Sequence, residues 1–105
     1  MIEAVEIKKT NPIYKYSDPV LVQKKANDYL GKGVIIYRST RNDKKYMVKN
    51  PQGNMVHFGQ MGYEDYTKHK DKIRRRSYLN RATNIKGDWK RNKYSPNNLS
   101  INLLW

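Results

Sequence analysis

Two histidines and a nearby aspartate are the residues of this chain whose types could support acid–base catalysis or metal binding. His57 and His69 are the only histidines, and Asp71 follows His69 by two positions. Side chains share a helix face at spacings of three or four, so His69 and Asp71 lack the spacing of a metal site. His57 could reach them only through the tertiary fold, and a general base also needs an oriented partner. We therefore predict that both histidines are structural, and that the chain has no catalytic residues, metal site or cofactor.

A segment flanked by Gly59 and Gly62 could present backbone N–H groups to a phosphate. The same pattern is typical of a turn that needs positive φ angles. No Walker lysine motif or dinucleotide-binding fingerprint accompanies it. We therefore expect a turn that leads from a strand into a helix.

Positive charge is the strongest pattern in the chain. The net charge is +13, and residues 67–93 contain eleven Lys and Arg but only two acidic residues. A solvated face usually mixes both signs, and an excess of one sign repels itself unless an anion neutralises it. A merely soluble face stays open as an alternative. The predicted nucleic-acid contacts, mainly to phosphates and therefore not sequence-specific, are Lys68, Lys72, Arg74, Arg75, Arg76, Arg81, Lys90 and Arg91.

The elements that must position these side chains are predicted from capping, turns and periodicity. Ser17-Asp18-Pro19 starts a helix over 19–30, and β-branched runs joined by turns predict a three-stranded antiparallel meander within 34–58. A basic helix follows between residues 64 and 82 and packs on the sheet, with Ile73 on its packed face; Asp71 could instead cap a second helix. We also expect a short strand over 2–7, extended residues at 14–16 and a loop or tail over 83–98. The predicted class is α+β.

The apolar end of the chain, Leu103-Leu104-Trp105, is predicted to be mostly buried, either in this domain or on a partner that it docks. The length of 105 residues indicates one domain over 1–105. The lack of cysteine excludes disulfides, thiolate zinc sites and cysteine nucleophiles and favours a reducing compartment. We expect no signal peptide and no membrane insertion, because no basic leader and no long apolar run is present.

Several motifs occur together in the second half of the chain: His-Phe-Gly at 57–59, Gly-Tyr-Glu-Asp-Tyr-Thr-Lys-His-Lys-Asp at 62–71, Trp89, and Leu-Leu-Trp at 103–105. This pattern resembles a family of small basic proteins of large double-stranded DNA viruses of eukaryotes. The resemblance covers residues 45–105, and residues 1–44 would be an added strand and helix. Ala82 stands where the family often has His, and the family usually continues beyond Leu-Leu-Trp. The resemblance implies a viral origin and a location in or near the particle, and it implies no catalytic residues.

These observations predict a non-enzymatic viral structural protein in the virion, with host cytoplasm or nucleus as its location during assembly. It would neutralise a polyanion, which we expect to be genome DNA. One alternative is a minor capsid or cement protein that binds acidic capsid subunits and assembles through its C-terminus. A second alternative is a small phosphodiester-processing enzyme, which would require His57 and His69 to converge on an open cleft.

Overall fold

The N-terminal residues form 3₁₀ turns, which corrects the expected strand over 2–7 and the extended segment at 14–16. The structure, a computed structural model, describes all residues from 1 to 105. The first turn is Ala4–Glu6. Before it, Glu3 forms an isolated bridge to Tyr37, and the Ile2 carbonyl accepts from the Arg38 N–H. Ala4 and Ile7 are both buried, and this spacing of three matches a 3₁₀ turn better than a strand. The second turn, Pro12–Lys15, has proline at its start and a capping asparagine side chain.

Helix α1 spans Pro19–Leu30, as predicted. The Asp18 carboxylate caps it by accepting a hydrogen bond from the Leu21 N–H, which satisfies one of the free donors of the first turn. Val22 and Ala26, one helical turn apart, are fully buried. The predicted apolar face therefore packs into the core.

The predicted meander is present as β1 (Ile36–Arg38), β2 (Lys44–Lys49) and β3 (Met55–Gln60), in antiparallel order β1-β2-β3. The β2–β3 connection is the expected turn, in which the Gly53 N–H donates to the Asn50 carbonyl at 2.9 Å. Strand β1 begins later than predicted because the Gln23 side chain bonds the Val34 carbonyl and the Ile36 N–H. The α+β class is confirmed.

The core lies between the sheet, α1 and the C-terminal segment. This last segment consists of α4 (Pro96–Leu99) and a π-helical continuation, Ser100–Leu104. Leu99, Leu103 and Leu104 join Tyr46 and Phe58 in one hydrophobic cluster. The predicted burial of Leu103 and Leu104 is confirmed, and it occurs in the core of this chain. Only Trp105 among the last three residues keeps appreciable exposed area.

The basic region forms two helices, α2 (Tyr66–His69) and α3 (Lys72–Thr83), separated by Lys70 in the left-handed region at φ 58°. Asp71 caps α3, which confirms the alternative of a second helix. Helix α3 does not pack flat on the sheet as predicted, and Ile73 is 76% exposed. Its last turn is instead held by the Asn97 side chain, which donates to the Ala82 carbonyl. Its middle is held by Tyr78, whose ring stacks on Trp105 at 4.2 Å.

The segment after α3 contains more helix than the predicted loop over 83–98, because a 3₁₀ turn spans Asp88–Arg91 and α4 begins at Pro96. The Asn98 side chain donates to the carbonyls of Trp89 and Asn92 and so closes this segment. No helix of the protein has the length and apolar character needed to cross a membrane.

Candidate nucleic-acid interface

The eight predicted contact residues are all exposed in the structure. Only Arg74 among them forms an ion pair with an acidic side chain, at 3.7 Å from Glu64 across the surface. Exposed pairs of this kind contribute about 0–1 kcal/mol and are easily exchanged for another anion. The charge of this region is therefore not neutralised within the chain.

Helix α3 divides its cations between two surfaces, because successive residues of a helix are rotated by about 100°. Arg74 and Arg81 line a cleft of about 690 Å³ on one side of the helix. Lys72, Arg75 and Arg76 line a smaller depression of about 490 Å³ on the other side. The basic run is thus not one continuous patch.

Arg75 differs from its neighbours because it also holds α3 in place. Its Nε donates to the main-chain oxygen of Trp105 at 2.7 Å, and its guanidinium lies 5.4 Å from the centre of the Tyr66 ring. Substituting Arg75 would therefore disturb the docking of α3 as well as the surface charge.

The three remaining predicted contacts lie outside α3. Lys68 belongs to α2, and Lys90 and Arg91 belong to the 3₁₀ turn after α3. The Lys90 ammonium lies 5.5 Å from the centre of the Trp89 ring. Lys93, which is outside the predicted set, lies over the Tyr29 ring and donates to the Tyr29 carbonyl.

The cleft beside α3 was not predicted from the sequence. It lies between α3, the β2–β3 end of the sheet and the C-terminal segment, so its walls come from residues far apart in the chain. Its lining includes Phe58, Gly59, Leu104 and Trp105. Gly59 has φ 82°, and a Cβ there would lie 2.8 Å from Leu104 Cδ1. Gly62, also at positive φ, lies in the expected turn, whereas Gly59 lies within β3, where the lack of a side chain lets Leu104 cover the strand.

A buried ion pair supports one wall of this cleft. Lys45 Nζ lies 3.0 Å from Asp65 Oδ2, and the two side chains are 3% and 1% exposed. Lys45 also donates to the Tyr63 carbonyl at 2.6 Å. Burial lowers the pKa of Lys45, and the Asp65 carboxylate opposes this shift. The pair therefore joins β2 to the segment that leads into α2.

Asp65 extends the polar contacts inward from this pair. Its other carboxylate oxygen accepts from the backbone N–H and the hydroxyl of Thr67. The Thr67 hydroxyl contacts Ser17, and Ser17 accepts from the Tyr46 hydroxyl at 2.7 Å. Burial raises the pKa of Tyr46 well above its usual value, so this phenol stays a neutral donor.

The two histidines have different neighbours. His57 Nδ1 lies 2.7 Å from the Ser39 hydroxyl, beside strand β1. His69 accepts a hydrogen bond from the Asp71 N–H at 2.9 Å, and its ring lies near Trp105. Burial, with a contribution from the Arg74 guanidinium, lowers the pKa of His69. Neither histidine lines the cleft, and no three His, Asp or Glu side chains are grouped to hold a metal ion.

Residues 34–82 are similar to a protein family described as a family of unknown function (DUF5754). The matched residues run from the start of the sheet to the last turns of α3. They overlap the residues 45–105 on which the viral resemblance rests, and they include neither α1 nor the C-terminal core segment. No curated protein and no solved structure matches the chain.

Proposed function

We propose that this chain is a non-enzymatic nucleic-acid-binding protein that neutralises the phosphate backbone with the cations of α3 and its flanking turns. The observation that carries the proposal is the exposure of eight basic side chains, of which one alone has an acidic partner. Lys and Arg that meet phosphates release condensed counterions, which supplies affinity without reading sequence. Arginine adds forked hydrogen bonds that fit phosphate oxygens.

The same proposal assigns the protein to the particle of a large double-stranded DNA virus, with genome DNA as its polyanion. The resemblance to the viral family supports this assignment. The net positive charge of the chain also supports it, because packaged DNA needs cations to neutralise its phosphates. The separate surroundings of His57 and His69 support a binding role over the enzyme alternative, because that alternative requires both imidazoles at one open cleft.

The salt dependence of binding tests the proposal. A short labelled DNA duplex is titrated with the protein at several salt concentrations, and binding is followed by fluorescence anisotropy. The pair Lys72→Gln and Arg76→Gln removes two exposed cations that make no hydrogen bond or ion pair in the fold. The slope of log K against log salt is negative, and each lost phosphate contact reduces its magnitude by about 0.9. This double variant should therefore flatten the slope by about 2.

The matched control is Lys8→Gln with Lys9→Gln, which removes the same charge from the exposed N-terminal region. It should leave the slope almost unchanged. Equal effects of both pairs would mean that only net charge matters and that α3 is not the contact surface. A wild-type protein that binds neither duplex nor single-stranded DNA at about 50 mM salt would refute nucleic-acid binding. That result would favour the cement-protein alternative, in which the same cations meet carboxylates of capsid subunits.

A further inference from the structure

The cleft beside α3 is not needed for phosphate neutralisation, yet it has the dimensions of a binding site. Its volume of about 690 Å³ lies within the range of about 300–1,000 Å³ that ligand sites occupy. It opens on the same side of α3 as Arg74 and Arg81, while the other α3 cations face away. A ligand in the cleft would therefore be contacted by one particular subset of the basic residues.

The mouth of the cleft exposes a tyrosine ring. Tyr63 is 71% exposed, whereas its backbone carbonyl is bonded to the buried Lys45 ammonium. The backbone is thus fixed and the ring is left free in water. A free aromatic face on a fixed backbone is the arrangement with which proteins stack unpaired bases.

The walls of the cleft offer hydrogen-bonding groups that the fold does not use. The Asn97 side chain donates to the Ala82 carbonyl and leaves its own amide oxygen without a donor. The side chains of Gln60 and Ser77 also line the cleft and make no hydrogen bond within the chain. A purely apolar ligand in the cleft would leave these groups without hydrogen-bond partners. Each group that lost its water in this way would make binding less favourable. A nucleobase has both flat faces for stacking and a polar edge for such groups.

The rim of the cleft carries an excess of positive charge. Lys44, Arg74 and Arg81 line it, against one acidic side chain, that of Glu64. Glu64 is held to Arg74 only across 3.7 Å at the surface. The rim therefore complements an anion that enters together with a ring system.

We infer that the cleft binds an unpaired base of single-stranded nucleic acid, stacked on Tyr63, with the flanking phosphates on Lys44, Arg74 and Arg81. This inference rests on the proposed function and names the form of nucleic acid that this site selects. Duplex DNA hides its base faces within the stack, so it can use the cations but not the cleft. The chain should therefore prefer a single strand to a duplex of equal length.

The experiment compares a labelled thymine homopolymer with a duplex of the same length, by fluorescence anisotropy at one salt concentration. Loss of base stacking costs about 1–3 kcal/mol, so Tyr63→Ala should weaken single-strand binding by about 5- to 150-fold and leave duplex binding unchanged. The exposed Val20, on α1 and away from the cleft, supplies the control Val20→Ala, which should change neither. A strand with a fluorescent purine analogue should lose its binding-induced quenching in Tyr63→Ala.

A charge-matched pair of double variants adds a second measurement. Arg74→Gln with Arg81→Gln removes cations of the cleft, and Lys72→Gln with Arg76→Gln removes cations of the opposite surface. The cleft variant should lower the ratio of single-strand to duplex affinity. The variant of the opposite surface should weaken the binding of both ligands without lowering that ratio. Circular dichroism checks that each variant is folded.

The outcomes separate this inference from the proposed function. Duplex binding with normal salt dependence, together with a Tyr63→Ala variant whose single-strand affinity is unchanged, would overturn the inference and leave the proposed function standing. Absence of binding to either form would refute both. Binding of a Glu-rich peptide with one Trp, lost in Tyr63→Ala and unaffected by the homopolymer, would overturn the inference and assign the cleft to a protein partner.

Discussion

Replacing Lys45 by methionine is expected to destabilise the fold severely, because it leaves the Asp65 carboxylate buried without its cation. Methionine keeps the length and apolar stem of the side chain, so little cavity is created. At an effective dielectric constant of about 20, unit charges 3.0 Å apart attract by about 5–6 kcal/mol. Desolvation of the two groups offsets much of this attraction, so the intact pair contributes little net stability.

The cost of breaking the pair is larger than its net contribution. Removing one partner of a buried ion pair costs about 3–5 kcal/mol. Lys45 also supplies the donor for the Tyr63 carbonyl, and that bond is lost as well. Because domains of this kind are stable by about 5–15 kcal/mol, Lys45→Met should retain only a marginal fold.

The assay is urea unfolding followed by circular dichroism, with Lys45→Met, Asp65→Asn and the double variant in one cycle. Asparagine removes the buried charge and keeps an amide oxygen that can still accept from the Thr67 N–H. The double variant should therefore be more stable than Lys45→Met alone, which gives a coupling free energy in the cycle. The reasoning is refuted if Lys45→Met unfolds within about 1 kcal/mol of the wild type and the second substitution restores nothing.

Three further substitutions test the packing around the cleft and the role of a histidine. Gly59→Ala should cost at least about 1–3 kcal/mol by overpacking against Leu104, whereas Gly53→Ala, at a similar positive φ in open space, should cost only the backbone strain. Leu104→Ala should lose about 2–5 kcal/mol through the cavity that it leaves, measured by the same urea assay. The pKa of His69 is lower in the folded protein than in the unfolded chain, so the unfolded chain binds this proton more readily. The contribution of the neutral His69 to the free energy of unfolding is complete above about pH 6.5 and is lost as the pH falls through the folded pKa. Wild-type unfolding free energy should therefore fall as the pH is lowered below about 6.5, and His69→Gln should remove that part of the change. An unaltered pH profile in the variant would contradict this prediction.

The parts of the fold that could be predicted are those determined by local chemistry. Helix α1 follows from a cap, a proline at the first helical position and an apolar spacing within twelve residues. The β2–β3 turn follows from proline and glycine in a four-residue window. Such signals act through neighbours in sequence, so one sequence contains all that is needed to identify them.

The parts that could not be predicted depend on distant partners. Ala4 and Ile7 adopt a 3₁₀ turn because both side chains reach a core that α1 and the C-terminal segment complete. Helix α3 has too few apolar residues to bind a sheet along its length, and a ring stack with Trp105 holds it instead. Sequence spacing on α3 alone could not show that Ile73 would be left in water.

The basic run shows most clearly what a one-dimensional pattern omits. Counting Lys and Arg correctly predicts a strong positive charge, but the count does not show which surface each side chain faces. Arg74 and Arg75 are adjacent in sequence, and yet Arg74 lines the cleft while Arg75 faces the opposite depression. A flat or straight polyanion could meet one of these surfaces at a time, whereas a flexible strand could pass through the cleft and continue around the helix. The two faces of α3 thus make the shape of a bound polyanion matter, and the comparison of single strand with duplex tests which shape the protein prefers.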